Sequence, residues 1–189
     1  MYKRTLMMNM RILLLVLLMS LFAQAQDNYS NANVIEWTVG RKLNWNDFKG
    51  KVPAVTREAA LSKCGFGYAT NRVNRFEKVE FTVIARFYPD QSWVHPDKTS
   101  IRLLQHEQRH FDLCEIYARK LRKLFATEKW TGADMRKADK LYQDTYKELA
   151  EMQQKYDEET IHGLDTEKQN EWNETLAKQL NELAEFGKK

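Results

Sequence analysis

The chain is poor in cysteine: among 189 residues there are only Cys64 and Cys114. One pair excludes a small scaffold held by several bridges. In an exported chain the pair is compatible with a disulfide or with two buried thiols, and spacing does not choose between them. No cysteine precedes Cys64, so there is no acceptor for an N-terminal lipid. No apolar run reaches the roughly 20 residues that cross a bilayer. The longest, Ile12 to Ala23, follows Lys3, Arg4 and Arg11 and runs into Ala23-Gln24-Ala25. A basic start, a short apolar stretch and a small-x-small end predict a secretory signal peptide over residues 1–25, cut after Ala25. The expected location is therefore periplasmic or secreted, with no stable membrane span after cleavage. A strong basic excess is also missing. The net charge of +4 falls to +1 once Lys3, Arg4 and Arg11 leave with the signal. That removes the electrostatic case for binding nucleic acid. Neither an internal repeat nor a low-complexity linker divides residues 26–189, whose length suits one domain with its own core. Oligomeric state is left open.

What is present reads as strands followed by helices. Val34–Val39 is a candidate strand. Gly50 and Pro53 mark a loop, and Ala59–Thr70 is a candidate strand interrupted by Gly65 and Gly67. Over Glu77–Tyr88, Val79, Phe81, Val83, Ala85 and Phe87 alternate with Glu80, Thr82 and Arg86, with Ile84 the one apolar exception. That is the period of a half-buried strand. From about Thr99 the spacing becomes three and four: Leu103, His106, His110, Leu113, Cys114, Tyr117, Leu121 and Leu124. Thr131-Gly132 breaks this helix. A second helix is predicted over Ala133–Gln154, an irregular segment over Tyr156–Leu164, and a final helix after Thr166-Glu-Lys-Gln169, which resembles a capping box.

The densest chemistry lies at His106-Glu107-Gln108-Arg109-His110. Positions i and i+4 share a helix face, so two imidazoles reach one metal ion. Glu107, about 100° further round, is placed to act on a water at that ion. Catalytic zinc takes three protein ligands and a water. Four candidates present themselves for the third. Glu115 points away from the metal face and is expected to pair with Arg119 on the surface. Cys114 lies one turn too far along. His95 would need a tight loop. His162 is preferred, because an antiparallel return helix comes level with the motif near residues 150–155 and the irregular segment then delivers His162 at the metal's depth. Asp157, Glu158 and Glu159 are reserves.

The blocks Leu43-Asn-Trp45-Asn-Asp-Phe48-Lys-Gly50, Ser92-Trp93-Val94, Leu104-Gln-His106-Glu107-Gln-Arg-His110-Phe-Asp112 and Tyr156-Asp157…Thr160-Ile-His162-Gly163…Gln169…Trp172 resemble a bacterial family of domains of unknown function. Its members are described as secreted zinc-dependent proteases of zincin-like type. The resemblance implies an α+β zincin-like fold: a small, mostly antiparallel N-terminal sheet packed on the long His-Glu-x-x-His helix, with two further C-terminal helices. It implies Zn2+ on His106, His110 and His162, with Glu107 as the catalytic base. The expected function is a zinc metallohydrolase, a peptidase acting on a peptide or protein through a metal-activated water. A protease and an envelope amidase are not distinguished. Tyr156 or His95 is a candidate oxyanion partner, and the Glu77–Tyr88 strand or its neighbour a candidate docking edge for substrate. The competing reading is a non-catalytic envelope protein, with a structural zinc site closed by a fourth ligand such as His95 or Cys114, or with a partner-binding role.

Overall fold

The computed structural model describes residues 33–71 and 74–188. The expected signal peptide lies outside the described residues. Five strands come first: β1 (Ile35–Glu36), β2 (Ala60–Leu61), β3 (Cys64–Thr70), β4 (Phe81–Phe87) and β5 (Trp93–Val94). Three helices follow: α1 (Ile101–Ala126), α2 (Met135–Thr160) and α3 (Thr166–Glu182). The fold is α+β. One antiparallel sheet has the order β1-β4-β3, and β2 pairs with β5 in a second, two-stranded ladder.

β4 is central because one of its faces is apolar at every second position. Val83, Ala85 and Phe87 are buried, whereas Thr82 points to solvent. Gly65 and Gly67 do not interrupt β3. They lie inside it, paired with Arg86 and Ile84, and the break falls earlier, at Ser62-Lys63. Gly65 serves packing: a Cβ there would stand 3.1 Å from the Tyr146 hydroxyl, so α2 can lie close against the sheet.

α1 starts where the Ser100 side chain accepts from the Leu103 N–H. The sheet, α2 and α3 all pack on it. Leu113, Ile116 and Leu121 are fully buried, each contributing about 1.5–3 kcal/mol. A helix covered on so many sides also buries polar groups, and those facing away from the cleft, Gln108, Asp112 and Glu115, find partners. Asp112 accepts from Trp37 Nε1 at 2.8 Å, Gln108 Nε2 at 2.9 Å and an Arg109 nitrogen at 2.6 Å. The Leu43 N–H donates to Gln108 Oε1 at 2.8 Å. These bonds tie the N-terminal segment to the face of α1 away from the cleft. Glu115 does pair with Arg119, at 2.8 Å, but inside the protein rather than on its surface. The C-terminal segment covers this face: Arg119 also donates to the Leu180 carbonyl and Arg122 to the Phe186 carbonyl.

The largest departure from the sequence pattern is at the end of α2. The helix does not stop near Gln154 but continues to Thr160. Tyr156 and Thr160 are fully buried, and the Thr160 hydroxyl donates to the Tyr156 carbonyl at 2.7 Å, so packing carries the last turns despite their polar composition. Among the described residues no helix is long and apolar enough to cross a membrane.

Candidate metal centre

His106 and His110 lie on the face of α1 that meets α2, with Nε2 atoms 3.3 Å apart. Oδ1 of Asp157, from the last turn of α2, stands 3.1 Å from the first and 2.9 Å from the second. The three ligand atoms all lie within 4.8 Å of one another. Two donors on one tetrahedral zinc, each about 2.0–2.1 Å from it, are separated by about 3.3 Å. The donor set therefore suits zinc in both chemistry and spacing.

The outer bonds fix which nitrogen faces the centre. His106 Nδ1 lies 3.1 Å from Gln169 Oε1, and His110 Nδ1 meets Gln153 Oε1. An amide oxygen only accepts, so each Nδ1 carries the proton and each Nε2 turns a lone pair inward. Two such nitrogens and a carboxylate oxygen repel one another unless a cation lies between them. A proton can take that place. Burial opposes charge on His110, but the hydrogen bond and charge of Asp157 outweigh it and push its pKa up to about 9. Burial would likewise raise the Asp157 carboxyl, and the bonds from His106 and His110 instead hold it far below the usual carboxylate range. A metal ion binding here displaces the proton.

Tyr156 is not placed to stabilise an oxyanion. Its ring stacks on His106, centroids 4.7 Å apart, and its hydroxyl is consumed by the His106 carbonyl and Gln169. Burial pushes that phenol far above its ordinary range. Gln169 is likewise no capping residue. Asp165 caps α3, accepting from the Lys168 N–H at 3.0 Å, which leaves Gln169 free to hold His106. Nothing in the local sequence distinguishes that role from a capping box.

His162 sits beside the centre rather than within the convergent set. Its Nδ1 is 3.6 Å from Asp157 Oδ1, and its side chain is 66% exposed. It belongs to a turn of three left-handed residues, Ile161 (φ 50°), His162 (φ 52°) and Gly163 (φ 78°). Arg102 holds this turn, donating to the Gly163 carbonyl at 2.8 Å and to the Leu164 carbonyl. Gly163 presses on the back of His106: a Cβ there would lie 2.9 Å from His106 Cβ and Cγ. Gly163→Ala is expected to cost about 1–3 kcal/mol through strain and contact. Thermal melting should show a fall of roughly 5 °C, and an unchanged midpoint would mean that the turn is not fixed against His106.

Glu107 is 4% exposed and, with His106, His110, Asp157 and His162, lines a cleft of about 290 Å³. The opposite wall is the segment Glu58–Cys64. Among the described residues the Glu107 carboxylate makes no side-chain hydrogen bond, although Ser62 Oγ reaches its backbone carbonyl at 3.4 Å. His95 and Cys114 are elsewhere. The His95 N–H bonds to the Ala59 carbonyl on the β5 side, and Cys114 is fully buried against Cys64.

Fold and site together define an α+β protein with a two-histidine, one-aspartate centre open to a cleft that also holds a glutamate. Residues 45–163 match the model of a bacterial protein family of unknown function, DUF922, and the chain belongs to that family. Neither the curated proteins nor the solved structures include a match to the chain.

Proposed function

We propose that the protein is a zincin-like, zinc-dependent hydrolase of the cell envelope or exterior, acting on peptide bonds. The observation that carries this reading is the convergence of His106 Nε2, His110 Nε2 and Asp157 Oδ1 beside a cleft-facing Glu107. Asp157 takes the third ligand position in place of His162. Zinc at this centre would act as a Lewis acid on a water and on a substrate carbonyl.

The chain's own residues do the rest. Gln169 and Gln153 hold the imidazoles in the ligating tautomer. Glu107 accepts a proton from the attacking water and delivers it to the leaving amine. β4 does not offer a docking edge at the centre, because none of its residues lines the cleft. β2 fits better. Ala59 bonds towards β5, so antiparallel alternation turns the N–H and C=O of Ala60 to the other edge, and Ala60 borders the cleft. An extended peptide pairing there would run along α1 past Glu107. The structural-zinc alternative is less favoured: among the described residues the convergent set stops at three side chains, one short of a closed site.

Protein dialysed against zinc and then against buffer is expected to retain about one ion per chain and to cleave a peptide library, with cleavage abolished by a chelator and restored by zinc. Zinc retained without any cleavage would favour the structural reading, and no retained zinc would remove both.

A further inference from the structure

Cys64 opens β3, and Cys114 sits one turn beyond His110 on α1. Their Sγ atoms are 3.2 Å apart, and both are thiols. The hydrolytic chemistry above uses neither. Gln153 connects the pair to the metal centre. Its Nε2 lies 3.5 Å from Cys114 Sγ and 3.9 Å from Cys64 Sγ, and donates to the His110 carbonyl at 3.0 Å, while its Oε1 holds His110 Nδ1. The two cysteines differ in access. Cys114 is fully buried, whereas Cys64 is half-buried and lines the cleft.

We infer that Cys64 and Cys114 are a redox-modification site, forming a disulfide that clamps β3 to α1 beside His110. Folding has already brought together two sulfurs fifty positions apart, and only a closure to about 2.05 Å remains. The oxidant is a disulfide, either a small molecule or a protein dithiol in its oxidised form. Cys64, reachable from the cleft, loses its proton and attacks one donor sulfur, forming a mixed disulfide and releasing the donor's other sulfur as a thiolate. Cys114 then loses its proton and attacks Cys64 Sγ, expelling the second donor thiolate. The two protons end on the two donor sulfurs, so the donor is reduced by two electrons and the cysteine pair oxidised by two.

The test does not depend on the hydrolase reading. Protein purified under reducing conditions is incubated with oxidised glutathione, unfolded in denaturant with a chelator, alkylated and weighed. The wild type should lose about 2 Da, take up no alkyl group and carry no glutathione, with two alkylatable thiols returning after reduction. Cys114→Ser should instead hold one glutathione on Cys64. The oxidised wild type should melt about 10 °C above the reduced form. Two free thiols after incubation, or a lasting glutathione adduct on the wild type, would overturn the site, and coincident melting curves would overturn the clamp.

Discussion

Glu107→Gln is expected to leave zinc bound at one ion per chain and to lower peptide hydrolysis by about 10²–10⁴-fold. The substitution preserves size and hydrogen-bonding reach but removes the basic oxygen. The structure gives a reason to expect a chemical rather than a structural loss. Other buried polar groups on α1 are fastened: Gln108 to the Leu43 N–H, Asp112 to Trp37 and Arg109, Glu115 to Arg119 and Arg122. Glu107 holds no such side-chain bond among the described residues and faces the cleft beside both histidines. No buried side-chain oxygen is left unpaired among the described residues, so the unbonded carboxylate is open to the cleft, where an incoming water can meet it. Paired measurements of bound zinc and kcat/KM decide the matter. Wild-type turnover in the variant would exclude Glu107 as the base, and loss of zinc would show that it supports the ligands instead.

Local pattern made the convergence of His106 and His110 legible, because the i, i+4 rule needs only one element. It also located β4, α1 and α3, whose apolar periods are strong. It was less informative wherever tertiary cover overrode composition. The last turns of α2, Tyr156-Asp157-Glu158-Glu159-Thr160, are polar enough to suggest an irregular segment, yet Tyr156 and Thr160 are buried and keep the chain helical. That single difference brings Asp157, rather than His162, against both histidines. The return helix comes level with the motif near the expected residues 150–155: Gln153 meets His110 there, and Asp157 meets it one turn later. Because the helix continues, Asp157 meets both histidine Nε2 atoms and His162 lies about one turn further on. The roles of Gln153 and Gln169 were not legible at all, since an outer-shell amide has no sequence signature apart from the fold that brings it to a histidine.

Asp157→Ala and His162→Ala together measure where the third ligand lies. Asp157→Ala is expected to weaken zinc binding by more than about 100-fold, beyond the 10–100-fold typical of removing an outer-shell partner. His162→Ala should change it by less than about tenfold, because the exposed imidazole borders the centre without joining the convergent atoms. The pH dependence adds a second reading of the same contact. In the metal-free chain Asp157 raises His110 from its ordinary value to about 9, so between pH 6.5 and 9 the folded protein holds a proton that the unfolded chain has released. That contribution to metal-free stability is complete below pH 6.5 and is lost as pH rises through 9. Zinc must expel this proton, so its apparent affinity should fall by up to about tenfold per unit as pH drops from 9 towards 6.5. Asp157→Ala removes the group that raises His110, and the slope over that window should flatten. If His162→Ala instead loses zinc while Asp157→Ala keeps both affinity and slope, the left-handed turn must rearrange to bring His162 onto the metal, and Asp157 is its outer support.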